Sequence, residues 1–142
     1  MTGDERFRLS CRKIVGGLGT GPLLATSQPI NFLAMVDRTT GKIIEPKHDL
    51  YGASIRGSVL SYPYAIGSSV GAYAFYSLQK SGCAPAAIIC AKADIVTASG
   101  CAIARIPLVD SAGPFPHSGA EQGSSRLMVM VDADAGTIIG KV

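Results

Sequence analysis

No apolar run in this chain approaches the ~20 residues that a membrane-spanning helix needs. The opening residues, Met1 to Arg12, are polar and mixed in charge, and they lack the apolar core of a secretory signal. A cytoplasmic location is therefore expected, without membrane association. Charge is sparse too, at 16% of residues, and the net value of +3 is mild. Basic residues are scattered, apart from Arg6, Arg8, Arg12 and Lys13. Aromatics make up 6%, and none alternates with a basic cluster. A nucleic-acid-binding surface wants a concentrated basic footprint, so that class is not expected. The four cysteines, Cys11, Cys83, Cys90 and Cys101, form no Cys-x-x-Cys pair, and no Cys/His cluster has zinc-site spacing. They read as reduced thiols packed like small hydrophobes. No metal site is expected, and no iron–sulfur cluster held by this chain alone.

What is present is apolar and glycine-rich. Hydrophobic residues make up 47% of 142, enough for one domain with one core, taken as residues 1–142. Glycine, at 17 residues, sits between short β-branched or apolar runs, the pattern of short strands and tight turns. Arg12–Val15 reads as the first strand and Pro22–Thr26 as the second. Gly16, Gly17, Gly19 and Gly21 then form a turn between them. Gly17-x-Gly19-x-Gly21 is not a phosphate loop, because no Gly-Lys-Ser/Thr follows. It is a poor dinucleotide fingerprint as well, since Pro22 and a strand stand where a helix should begin.

Val36 to Ile44 and Val131 to Ile139 both read as strand, Asp/Gly turn, strand. Gly57–Ser61 reads as a strand ended by Pro63. Ser69–Lys80 reads as a helix, with Val70, Tyr73, Ala74 and Leu78 near helical period. Gly82 lies just beyond its end, Pro85 prevents continuation, and Ala86–Ala91 reads as a buried strand. Strand, helix and strand make a βαβ unit with parallel strands. Asp94–Ala102 is a short helix or an irregular turn, and Arg105–Asp110 a further strand. Ser111–Ser125 is a Gly/Pro/Ser loop, and Leu127–Val131 with Thr137–Val142 closes a hairpin. The expected class is α+β, β-rich, with one main helix.

Gly67-Ser68-Ser69 stands between strand and helix. A serine there can cap the helix by accepting orphan amides of the first turn. The same geometry offers an anion or a developing oxyanion the positive end of the helix dipole. A hydroxyl at that spot can also move a proton, and Gly67 lets backbone approach a ligand. The residues alone leave both uses open. Gly123-Ser124-Ser125, followed by Arg126, reads as a loop. His48 and His117 read as surface-loop histidines without a partner at catalytic or metal spacing. No Gly-x-Ser-x-Gly elbow accompanies them, although a triad is defined in space. Asp37 and Asp110 end apolar strands, Leu33–Val36 and Ile106–Val109, where a carboxylate more often bonds turn amides than catalyses.

Four stretches together resemble the small subunit of the aconitase X family. They are Ser27 to Asp37, Thr40 to Ile44 with His48 and Gly52 to Leu60, Pro63 to Tyr73, and Ala84 to Ile89 with Ala93 to Val96. The resemblance is strongest over residues 10–110. It implies a β/β/α swivelling domain like the mobile one of aconitase. It also implies a large catalytic subunit as partner, in a heterodimer or higher heteromer. That partner would carry an iron or iron–sulfur site, with a four-iron, four-sulfur cluster the expected form. In aconitase-type swivel domains the first serine of the Gly-Ser-Ser turn is the base, which corresponds to Ser68. Gly67, Ser69 and Asn31 are then expected to bind substrate. Aconitase has a carboxylate-binding arginine after the serine pair. Val70 stands there, so that part of the pattern is missing.

The implied reaction is removal of water by a hydro-lyase. The proton beside a carboxylate needs a positioned base. The poor hydroxyl leaving group needs a Lewis acid. One branch of the family, mostly archaeal, dehydrates mevalonate 5-phosphate to trans-anhydromevalonate 5-phosphate in isoprenoid synthesis. Another, mostly bacterial, dehydrates cis-3-hydroxy-L-proline. Asn31 to Asp37, Tyr64 to Tyr73 and Ser99 to Ile103 are more similar to the first. A non-catalytic ligand-binding or scaffolding domain is the reading from another class, since fold does not fix function. Met35, Tyr62, Tyr64 and Tyr73 flank the site and are candidates for a partner-covered surface, because aromatics and methionine are enriched at interfaces.

Overall fold

The computed structural model describes residues 5–112 and 127–141. His117 and Gly123-Ser124-Ser125 lie outside them. The elements run β1 Glu5–Ser10, β2 Arg12–Val15, β3 Leu18–Ala25, α1 Phe32–Met35, β4 Val59–Tyr62, α2 Gly71–Lys80, β5 Ala87–Cys90, α3 Ile95–Ala104, β6 Leu108–Asp110, β7 Met128–Asp132 and β8 Thr137–Lys141.

The strands form one sheet in the order β1-β8-β7-β3-β4-β5-β6-β2. β3, β4, β5 and β6 pair parallel. β2 closes one edge antiparallel to β6, while β7, β8 and β1 form an antiparallel wing on the other side. Alternation along the parallel strands sends side chains to two different cores. Leu60, Tyr62, Ile88, Cys90 and Leu108 face the helices, joining Phe32, Phe75 and Leu78. Val59, Ala87, Ile89 and Val109 pack instead with Val129, Val131 and Ile138 of the wing. The result is a β/β/α layering, as the expected class requires. The βαβ unit is β4-α2-β5, and the closing hairpin is β7-β8.

Four expectations about the elements need correction. Glu5–Ser10 precedes the strand taken as first, and pairs with β8 despite its polar sequence. Gly19 and Gly21 lie inside β3 and not in a turn. Leu33–Val36 is not a strand: Phe32–Met35 is a short helix, because Asn31 Oδ1 accepts the amides of Leu33 and Ala34 at 3.1 and 3.0 Å. There are also two main helices, since α3 matches α2 at ten residues each. Nothing in sequence marks the α3 end, because Arg105 and not a glycine adopts the left-handed C-cap, at φ 60°. Gly100 in its middle lets the Phe75 ring pack directly on the helix, so α2 and α3 sit close.

The β2–β6 edge is tied by an ion pair. Asp110 is fully buried and takes Arg12 Nε and Nη2 on its two oxygens at 2.8 Å each, and the Ala93 amide at 2.8 Å. These donors, the Arg12 guanidinium first, hold its carboxyl below the usual range. A lowered native pKa means stability that is present above the unfolded value of about 3.9 and lost as pH falls through the native one. Asp110→Asn should therefore cost about 2 kcal/mol near neutral pH, a modest figure because Arg12 is half exposed. Urea unfolding of both proteins checks this, and the gap should close below about pH 4. A gap constant from neutral to acid pH would show that the charge contributes nothing. Asp37 likewise serves its own turn, bonding the Thr39 hydroxyl and amide at 2.7 and 2.8 Å.

Candidate functional site

Ligands of open α/β sheets bind beyond the carboxyl ends of parallel strands. In this chain three connections meet there, Thr26–Asn31 after β3, Pro63–Val70 after β4 and Ala91–Asp94 after β5. They are stitched together by backbone bonds. Ile30 N–H donates to the Tyr64 carbonyl at 3.4 Å and Ile66 N–H to the Ile30 carbonyl at 3.0 Å. Asp94 caps α3 through the Thr97 amide at 2.9 Å and accepts the Ala65 amide at 2.9 Å with its other oxygen. Asp94 thus fixes the second connection to the third. An aspartate directly before Ile95-Val96-Thr97 is a readable N-cap signal that the sequence reading passed over.

The structure brings Asn31 and Gly67 together. Gly67 has φ +107°, a conformation that side chains disfavour. A Cβ added there would lie 2.7 Å from Asn31 Nδ2. The Asn31 oxygen is engaged in capping α1, so its amide nitrogen is the group left to donate elsewhere. Ser68 is exposed at the mouth of α2, and its Oγ accepts the Val70 amide at 3.1 Å. The first turn tightens around it, with Gly71 N–H on the Ser68 carbonyl at 2.8 Å and Ala72 N–H on the Ser69 carbonyl at 3.1 Å. Ser69 is exposed, with no hydroxyl partner among the described residues. One serine oxygen is therefore polarised by a helix-entry amide, and the other is free.

Around this turn lie exposed apolar side chains, Leu33, Tyr64, Ile66, Val70, Tyr73 and Ile95, with Ile95 77% exposed. Tyr64 and Tyr73 meet the expectation of a surface position. Tyr62 does not: it is buried, packs its ring 5.3 Å from Phe32 and shares a 2.9 Å hydrogen bond with Thr97. Met35 is half-buried. His48 is also not a surface residue, since its ring is enclosed beneath the first connection.

The thiols do not suit a cluster. Cys83, Cys90 and Cys101 are buried, and burial pushes the Cys90 thiol up to about 12 and Cys101 well above its usual value. Iron–sulfur ligation needs thiolates, which this environment disfavours. Among the described residues no three His, Cys, Asp or Glu side chains are grouped to hold a metal ion. No described helix is long and apolar enough to cross a membrane.

The layering and the serine turn at the strand ends define a swivel-type β/β/α domain. Comparison with known proteins gives the family. The profile of the aconitase X swivel domain matches residues 8–140, and the chain belongs to that family. It is 43% identical over 132 residues to the phosphomevalonate dehydratase small subunit of Methanothermobacter thermautotrophicus, covering 93% of this chain and 98% of that one. It is 44% identical over the same shares to the protein of that name from Methanocella arvoryzae. The crystal structure of Thermococcus kodakaraensis aconitase X in its holo-form superposes with a TM-score of 0.84 at 36% identity, covering 96% of this chain and 99% of the other.

Proposed function

We propose that this chain is the small subunit of a hydro-lyase that dehydrates mevalonate 5-phosphate to trans-anhydromevalonate 5-phosphate. The observation that carries the reading is the end-to-end match to archaeal phosphomevalonate dehydratase small subunits at more than two-fifths identity. The chain works with a large subunit, and an iron–sulfur cluster belongs to that subunit. Free cysteines suit a reducing cytoplasm.

In this reading Ser68 Oγ takes the proton from the carbon beside the substrate carboxylate. A serine alkoxide is costly in water, and the Val70 amide and the α2 dipole both lower that cost. Ser69 and the Asn31 amide nitrogen hold substrate oxygens. Gly67 keeps the approach clear, since any side chain there would collide with Asn31. Val70 offers no charge, so the substrate carboxylate and phosphate are held by cations of the large subunit. The exposed apolar ring around the turn is covered by that subunit, which excludes water from the base. Base and partner sit on separate bodies, so closure becomes a condition for turnover.

The test is co-expression with the large subunit and assay of both family substrates. Mevalonate 5-phosphate should be consumed by the complex, cis-3-hydroxy-L-proline should not, and the small chain alone should be inert. Consumption of the proline derivative in its place would move the substrate assignment. Failure of the two chains to co-purify would favour a stand-alone binding domain.

A further inference from the structure

His48 is buried, and both ring nitrogens are engaged. Nδ1 accepts the Leu50 amide at 3.1 Å, so Nε2 carries the proton and donates to the Pro29 carbonyl at 3.2 Å. The neighbouring Asp49 completes a clamp on the same loop. Its Oδ1 accepts the Thr26 hydroxyl at 2.7 Å, and its amide donates to Gln28 Oε1 at 2.8 Å. Thr26 Oγ1 in turn accepts the Gln28 amide at 3.0 Å. The His48–Asp49 turn thus holds Thr26, Gln28 and Pro29 of that loop.

That loop leads directly into the site. Ile30 follows Pro29 and exchanges bonds with Tyr64 and Ile66, while Asn31 lies against Gly67. The path from the His48 ring to Ser68 is short: Pro29, Ile30, Ile66, Gly67. Its links are covalent or hydrogen-bonded, and no large side chain intervenes to absorb a shift. The ring also lies beside the Asp49 carboxylate, with Nδ1 3.4 Å from Oδ1.

We propose that His48 is a positioning residue that, through the Pro29 carbonyl, holds Asn31 and the Gly67–Ser68 turn in the register that proton transfer requires. The proposal rests on Ser68 as the base. A shift of about 1 Å at a reacting group can cost about 100-fold in rate, so a lost anchor two residues from Asn31 has a measurable reach.

Two substitutions separate the two ring nitrogens. His48→Asn places an amide near the Nδ1 position, keeps an acceptor for Leu50 and loses the reach to Pro29. His48→Gln extends an amide N–H to the Nε2 position and restores that donor. Each is assembled with the large subunit and assayed with mevalonate 5-phosphate, and amide hydrogen exchange is followed in the same complexes. H48N should lower kcat about 10- to 100-fold, with KM changing far less, and speed exchange at Ile66 while the β5 amides stay protected. H48Q should recover most of the turnover and the Ile66 protection. Wild-type kcat in the assembled H48N complex overturns the proposal. So does a loss that His48→Gln fails to rescue, or one accompanied by faster exchange throughout β4 and β5, since either marks a purely structural role. The exchange readout does not depend on the base. If Ser68→Ala stays active but His48→Asn frees Ile66, the base assignment has failed and the clamp has not. If Ile66 stays protected, the clamp itself is refuted.

Discussion

Ser68→Ala, assembled with the large subunit, should lower turnover about 100- to 10,000-fold, the usual contribution of a general base. The loss belongs to the transition state, so KM should change far less than kcat. The same oxygen also accepts the Val70 amide at 3.1 Å, so the substitution leaves a helix-entry donor without its partner. That bond is an exposed turn bond before the Val70 N-cap, so a second, small effect of about 0.5 kcal/mol on stability should accompany the kinetic one. The two are separable, because thermal unfolding reads the turn bond and steady-state kinetics on assembled complex reads the proton transfer. Ser69→Ala is the control. Its hydroxyl has no partner among the described residues, so unfolding should be unchanged and any kinetic effect should fall mainly on KM. Near wild-type turnover in a fully assembled Ser68→Ala complex would remove the base assignment and leave Ser68 only a turn residue that bonds the Val70 amide. A large kcat loss in Ser69→Ala alone would move the base one residue along the chain.

The region best read from sequence is the stretch in which local signals agree with tertiary structure. Ser69–Lys80 carries a helical apolar period, a glycine past its end and a proline beyond, and the helix forms there over Gly71–Lys80. β5 is a continuous apolar run after Pro85, as a strand buried on both faces must be. The errors fall where a local pattern has two solutions. Phe32-Leu33-Ala34-Met35-Val36 is apolar enough for a strand, and only the Asn31 cap, with Phe32 stacked 4.3 Å from Phe75, makes it a helical turn. His48 sits among Glu, Lys and Asp, which reads as surface. Its burial comes from a loop about 20 residues earlier in the chain closing over it, and no local window contains that information. The site shows the same division. The Gly67-Ser68 turn was legible because strand, turn and helix adjoin in sequence. The contact of Asn31 with Gly67 and of Ala65 with Asp94 arises only when parallel strands bring their carboxyl ends together. Tyr62, next to that turn, was misplaced because a tyrosine is equally suited to an interface and to a core where its hydroxyl finds a partner, here Thr97.

Gly21→Ala should be among the most damaging single methyls in the described fold, alongside Gly19→Ala, whose Cβ would meet the Ala86 carbonyl. Gly21 lies in β3, paired antiparallel with Val129, at the point where β3 is about to begin its parallel ladder with β4 at Leu23 and Val59. A Cβ at Gly21 would be driven into the carbonyl oxygen of Gly57, closer than any real carbon contact. The obstacle is backbone, in the turn that launches β4, so no rotamer change relieves it. Either β3 leaves β4 or the Gly57–Ser58 turn opens. The second route breaks the Gly57 amide bond to the Ala84 carbonyl at 3.0 Å and the Ala86 amide bond to the Ser58 carbonyl at 2.7 Å. Each route frees the antiparallel wing from the parallel strands, since β3 is the strand that joins them. Ordinary overpacking costs about 1–3 kcal/mol because side chains yield. Here the cost should exceed about 4 kcal/mol, a large part of the 5–15 kcal/mol that holds a typical domain. Thermal unfolding should fall by more than about 10 °C, or the chain should be recovered mainly as aggregate. Gly52→Ala is the comparison that isolates the cause. Gly52 has φ +86° with nothing within 4 Å of an added Cβ, so it tests backbone conformation without collision and should cost only about 1 kcal/mol. If the two variants unfold within a degree or two of each other, β3 is not seated against the Gly57 turn as described.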